Sequence, residues 1–117
     1  MTEYIKRGDT HLPFEKRLRN DLGEPIDLSE VNGIEFHMRD KNYNTVVSDD
    51  TTGRVTNLQK DSQSSPTAFV EYDWRASDTT EIGSYKAEFV VDFGTDGKRS
   101  FPADGYYDIE ITEDIND

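Results

Sequence analysis

The 117-residue sequence predicts an all-β fold, namely an immunoglobulin-like antiparallel β-sandwich of seven or eight short strands without a disulfide. Three observations support this prediction. Bulky side chains alternate with polar ones, which is the period of a half-buried strand. Clusters of Gly, Pro, Asn and Asp separate the alternating runs, and the sequence shows no helical periodicity. Short strands at such spacing are typical of sandwiches and small barrels.

The first half of the chain contains four alternating runs, which span residues 12–18, 33–39, 45–48 and 54–58. The run over 33–39 is the clearest, because apolar residues alternate strictly with Glu35 and His37. A polar turn then leads back into the next run, which predicts a hairpin. In the first run, Leu12, Phe14 and Leu18 share one parity, and Lys16 interrupts them with a charge expected near the edge of a sheet.

The second half contains four more runs, which span residues 70–74, 84–93, 98–101 and 107–111. Asp96 and Gly97 join the second and third of them, and this pair supplies the positive φ that a tight hairpin turn requires. Residues 59–66 are loop-like in composition and are expected to be the most mobile segment. We therefore expect a single immunoglobulin-like domain over 1–117, with 1–9 able to serve as an N-terminal arm.

Tyr85 carries the pattern that separates a sandwich from a barrel. It lies two residues after Gly83 and two residues before Ala87. This is the layout of an immunoglobulin tyrosine corner, in which the hydroxyl bonds back to the upstream backbone. The alternative is that Tyr85 is one more alternating core aromatic. The predicted core is built on the large inward residues Phe36, Trp74, Tyr85, Phe89 and Ile109.

Charge excludes several partners. The chain has 13 basic and 25 acidic residues, a formal net charge of -12, so its surface repels phosphate backbones and anionic membranes. We expect no nucleic acid as a partner. The sequence has no secretory signal behind Met1 and no run long enough to span a bilayer, which predicts synthesis in the host cytoplasm and no membrane insertion. The excess of Asp over Glu favours a salt-adapted host, and an ordinary acidic surface that suppresses self-association is the alternative.

The sequence predicts no enzyme, no catalytic residue, no metal site and no cofactor. It has no cysteine, and neither His11 nor His37 has an identifiable nucleophile or metal co-ligand nearby in sequence. Residues 40–44 imitate the opening of a calcium loop, but Thr45 occupies the position that requires glycine, so a hairpin turn is the better interpretation. Asp49 and Asp50 either bind a cation weakly or are simply solvated.

Seven segments resemble the N-terminal immunoglobulin-like domain of the upper baseplate protein of tailed phages. In chain order they are 6–10 (KRGDT), 23–29 (GEPIDLS), 34–40 (IEFHMRD), 53–55 (GRV), 72–74 (YDW), 83–89 (GSYKAEF) and 101–111 (FPADGYYDIEI). The resemblance covers nearly the whole chain. It implies a virion structural protein, located in a tail, baseplate or appendage, whose partners are other virion proteins and copies of itself. Together with the acidic composition, it points to a virus of a halophilic host.

Three tyrosines are the candidate interface residues. Tyr4, Tyr43 and Tyr106 fall at turns or on the parity opposite to the core, and tyrosine is favoured where protein surfaces meet. The alternative for each is an exposed ring that covers a loop. A second hypothesis for the whole protein is a host-surface adhesion module that binds a receptor through residues 42–44 and 59–66. A third is a carbohydrate-binding accessory domain.

Overall fold

The computed structural model describes residues 2–47, 54–58 and 68–113, and within these ranges it contains nine strands and two short 3₁₀ turns. The strands are β1 (Thr2–Lys6), β2 (Phe14–Arg17), β3 (Gly33–Asp40), β4 (Thr45–Val47), β5 (Val55–Asn57), β6 (Phe69–Tyr72), β7 (Gly83–Asp92), β8 (Lys98–Phe101) and β9 (Tyr107–Thr112). The 3₁₀ turns are Ala76–Thr79 and Gly94–Asp96. The predicted all-β fold is confirmed.

Two sheets form the sandwich. Across the described residues, the larger sheet has the order β1-β9-β7-β3-β4 with β8 also on β7, and the smaller has the order β2-β6-β5. The smaller sheet matches the B, E and D strands of an immunoglobulin domain, and β3, β7 and β9 match its C, F and G strands. Strand alternation places one face of each sheet inward, where a shared apolar cluster fills the space between them.

β1 corrects two expectations. The structure places residues 2–6, expected in an arm, in a sheet, where they pair with β9 and raise the number of described strands to nine. The pair is parallel, so the larger sheet is mixed and not purely antiparallel. Ile5 lies opposite Ile111 and packs against the core. The two apolar residues of this run, Tyr4 and Ile5, are adjacent and give no period-2 signal, which is why the strand was not predicted.

Aromatic rings meet at the centre of the core. All five residues predicted for the core are buried. The ring of Phe36 lies 4.4 Å from that of Tyr72, in a stacked arrangement, and 5.1 Å from that of Phe89. Trp74 meets Phe36 edge to face at 5.9 Å. Such ring pairs stabilise a core beyond their buried area, so a chain with few apolar residues can still hold two sheets together.

The start of β2 differs from the prediction. Leu12 lies outside the strand and is 75% exposed, whereas Phe14 is buried. Lys16 keeps the inward parity of Phe14, and its ammonium turns out to the rim of the sandwich, where it contacts Glu3 at 3.1 Å and lies 5.5 Å from the ring of Tyr107. The aliphatic stem of a lysine can cover apolar surface in this way while its charge stays near water.

The tyrosine corner is confirmed. The hydroxyl of Tyr85 donates a hydrogen bond to the carbonyl oxygen of Glu81 at 2.6 Å. The corner sets the entry of the chain into β7, the longest described strand. β7 then fixes the register of its neighbours, with Phe36 opposite Phe89 on one side and Ile109 opposite Tyr85 on the other. These pairings decide which side chains reach the outer face of the larger sheet.

Candidate interaction surface

Arg39 lies on the outer face of the larger sheet, because its neighbour Met38 points into the core and successive side chains of a strand alternate. Directly opposite Arg39, on β7, is Lys86, whose ammonium pairs with Asp108 on β9. The outer face therefore has two basic side chains side by side. Asp108 matches the charge of Lys86, whereas Arg39 has no ion-pair partner among the described residues.

Tyr106 reaches Arg39 because the sheet is interrupted beside it. β8 and β9 pair with the same edge of β7, β8 at its C-terminal half and β9 at its N-terminal half. The chain between them, residues 102–106, leaves the sheet and ends in Tyr106. The guanidinium carbon of Arg39 lies 4.7 Å from the centre of the Tyr106 ring, within the range of a cation–π contact.

Tyr43 reaches the same arginine from the turn between β3 and β4. The carboxylate of Asp40 accepts hydrogen bonds from the backbone amides of Asn42 at 2.8 Å and Asn44 at 2.9 Å, which shape the turn. The Asn44 amide is the main cause that lowers the pKa of Asp40. Tyr43 takes a φ of +67°, unusual for a bulky residue, and its ring lies 4.4 Å from the Arg39 guanidinium carbon.

The Arg39 clamp, defined as Arg39 with Tyr43 and Tyr106, borders a shallow depression of about 130 Å³. His37, Thr45 and Glu88 are among the residues that line the depression. Both tyrosines remain open to solvent, since Tyr43 is 73% and Tyr106 45% exposed. The structure thus gathers two of the three predicted interface tyrosines at one place.

Tyr4 lies apart from the clamp. It is 72% exposed on β1, and strands β9 and β7 separate it from β3. A second depression, of about 270 Å³, lies beside it and includes His11 and Leu12 in its lining. Arg39 was not among the interface residues predicted from the sequence. Its outward parity beside a tyrosine-bearing turn was the available signal, but the approach of Tyr106 depends on the break between β8 and β9.

The structure also places the two histidines of the chain. His37 contacts Glu35 at 3.3 Å on the outer face, and His11 is exposed. Across the part of the chain that the structure describes, no group of three or more His, Cys, Asp or Glu side chains is placed to hold a metal ion. Asp49, Asp50 and the loop over 59–66 lie outside the described residues. No helix in the described ranges has the length and apolar character needed to cross a membrane.

Comparisons with known proteins do not identify a relative. No protein-family model, curated protein or solved structure gave a significant match to the chain.

Proposed function

We propose that this protein is a non-catalytic virion structural module that assembles through protein–protein contacts on the outer face of its larger sheet. The Arg39 clamp carries the proposal. Tyrosine and arginine are among the residue types most enriched at the centres of protein interfaces, where rigid rings bury area at a low entropic cost. Here two exposed tyrosines flank one arginine on an open β-face.

Backbone strain at Tyr43 adds support. A positive φ costs a bulky residue about 1 kcal/mol or more, whereas asparagine adopts it readily. Asn42 and Asn44 flank Tyr43, so the turn could have placed an asparagine at the strained position at less cost. Strained residues cluster where function selects the side chain. Tyr43 is 73% exposed, so burial of its ring in the core does not offset the backbone strain.

The place of the module in a tail, baseplate or appendage rests on the sequence resemblance to the upper baseplate protein of tailed phages. The open sheet edges fit the same role. Among the described residues, β4 pairs only with β3, so its outer edge offers backbone donors and acceptors to a neighbour. Val46 on that strand is exposed on the outer face, and it would gain a cross-strand neighbour if a strand were added there.

Photo-crosslinking in the parent particle tests the proposal. A photoreactive amino acid replaces Tyr43 or Tyr106 on the outer face of the larger sheet, and Arg17, which stacks on Phe69 in the smaller sheet, serves as the matched control position. We expect cross-links to other virion proteins or to a second copy from positions 43 and 106, and few from position 17. Equal yields at all three positions, or absence of the chain from purified particles, would overturn the proposal. Cross-links to a host-surface protein alone would replace it with the adhesion alternative.

A further inference from the structure

The guanidinium of Arg39 lies over two aromatic rings. The rings of Tyr43 and Tyr106 lie 4.4 Å and 4.7 Å from its carbon. Within the described residues, no side chain or carbonyl accepts a hydrogen bond from it. Arg99 differs, because it donates to the carboxylate of Asp21 at 3.0 Å. The guanidinium of the clamp therefore has N–H donors without an acceptor in the described part of the chain.

The chemistry of this arrangement favours a carboxylate. A guanidinium has a planar fork of donors that matches the two oxygens of a carboxylate and binds them in parallel. An arginine that is already stacked loses little side-chain entropy on binding, so the contact is preorganised. Lys86, directly opposite on β7, pairs with Asp108, so this nearby carboxylate is already engaged and does not compete for Arg39.

The size of the depression indicates whether the carboxylate belongs to a small molecule or to a side chain of a protein. Sites for small molecules usually enclose about 300–1,000 Å³. The depression beside the clamp holds about 130 Å³, which suits one short side chain reaching in from a larger surface. Glu88 on its rim also disfavours a ligand that carries several negative charges.

We propose that the Arg39 clamp receives an Asp or Glu side chain of a partner protein at the assembly face. This inference rests on the proposed function, because it names the chemical group that the face recognises. Arg39 forms the bidentate contact, and its contacts with Tyr43 and Tyr106 restrict the position of its guanidinium. A partner carboxylate would supply the acceptor that the Arg39 N–H groups lack in the described part of the chain.

Nuclear magnetic resonance of the arginine Nε–Hε groups tests the site in the intact chain. The probes are N-acetyl-glutamate N-methylamide, the matching glutamine compound and inorganic phosphate, each at constant ionic strength. Arg17, stacked on one ring, and Arg99, already paired with Asp21, are internal controls in the same spectrum. Arg39→Lys keeps the charge but removes the fork, and it also assigns the Arg39 signal.

We expect the Arg39 signal to move saturably with the glutamate probe, with little response to the glutamine probe and smaller responses at Arg17 and Arg99. Tyr106→Leu should weaken the glutamate response by about tenfold, because the unclamped side chain must then be ordered on binding. Amide spectra report whether each variant is folded, and Tyr43→Asn provides a second variant at a turn position that asparagine suits.

Three outcomes would overturn the inference. They are equal, non-saturating shifts at Arg39 and Arg17, saturation by phosphate at lower concentration than by the glutamate probe, and a full response in Tyr106→Leu. The titration uses the isolated chain, so it can fail while the cross-links from positions 43 and 106 still support an assembly face. A saturable Arg39 response without those cross-links would keep the carboxylate site and overturn the assembly role.

Discussion

The hydroxyl of Tyr72 donates a hydrogen bond to the carboxylate of Asp78 at 2.6 Å, and both side chains are buried. The same carboxylate oxygen accepts the backbone amide of Arg75 at 2.9 Å, and the guanidinium of Arg75 lies 3.7 Å from the other oxygen. Burial, and then the hydrogen bond to Asp78, raise the pKa of Tyr72. One acidic group thus anchors the turn between β6 and β7 to the aromatic core.

Removal of the Asp78 carboxylate should destabilise the fold, and the size of the effect should depend on whether Tyr72 keeps its hydroxyl. We expect Asp78→Ala to lower the free energy of unfolding by about 2–4 kcal/mol, because it leaves the Tyr72 hydroxyl buried without an acceptor and removes the acceptor of the Arg75 backbone amide. In the background of Tyr72→Phe the same substitution should cost less, since no buried hydroxyl is then stranded. Chemical denaturation of the two single variants and the double variant measures the difference. Strict additivity of the two single effects would contradict the interpretation.

The tyrosine corner makes a second prediction. Tyr85→Phe removes the hydroxyl that bonds the carbonyl of Glu81 and keeps the ring, so the free energy of unfolding should fall by about 1 kcal/mol. Tyr43→Phe removes a hydroxyl from an exposed ring and should leave the free energy of unfolding unchanged. Urea denaturation of both variants makes the comparison. A loss in Tyr43→Phe as large as that in Tyr85→Phe would argue against a structural role for the corner.

Tyr107 should make the fold sensitive to alkali. Burial raises its pKa to about 12 from an ordinary value of 10.0, so the folded state favours the neutral phenol. This contribution is fully present below pH 10 and is lost as the pH rises towards 12, with a slope of at most about 1.4 kcal/mol per pH unit. Burial also raises the pKa values of Tyr72 and Tyr85, so Tyr107→Phe should reduce the slope without abolishing it.

The pH dependence is checked by denaturation at several values between pH 9 and pH 12. The control is Tyr4→Phe on the exposed side of β1, which should keep the slope of the unaltered chain. An unchanged slope in Tyr107→Phe would show that this phenol is as well solvated in the folded state as in the unfolded one.

Two acids stand directly opposite each other on the smaller sheet. Glu15 on β2 pairs in register with Glu71 on β6, and the pKa of Glu71 is raised by burial and then by the charges of Asp73 and Glu15. Like charges at opposed positions of a sheet are destabilising. We expect Glu71→Gln to raise the free energy of unfolding by about 0.5 kcal/mol at low ionic strength.

Salt should remove most of this gain. The screening length falls from about 10 Å at 0.1 M to about 3 Å at 1 M, so the repulsion between the two carboxylates weakens. Thermal denaturation in KCl measures the effect. Glu30→Gln, which removes the same charge from an exposed connector residue, is the control. A gain in Glu71→Gln that is equal at both salt concentrations would indicate a cause other than charge repulsion.

The elements that the sequence predicted well are those with a strong period of two. Three successive inward positions in β3 and four in β7 are apolar or aromatic, so a shift of one residue would expose the whole set and the register is unambiguous. The corner at Tyr85 was also predictable, because its hydrogen bond lies within five residues of sequence.

Features that depend on distant partners were not predictable. β1 is held in the sheet by backbone hydrogen bonds with β9, which lies more than a hundred residues away along the chain. Its own sequence pattern is too short to predict a strand. The Arg39 clamp joins residues that are 63 and 67 positions apart from Tyr106. Sequence alone indicated Tyr43 and Tyr106 separately, and only the fold places one cation between them.

The parallel pairing of β1 with β9 has a consequence for handling the protein. A protease that cuts after Lys6 or Arg7 would free a segment held mainly by main-chain hydrogen bonds and by Ile5. The cleaved protein would then expose the unpaired edge of β9 and should aggregate through that edge. A synthetic peptide with the sequence TEYIK could reoccupy the gap, so the missing piece could be returned as a separate molecule.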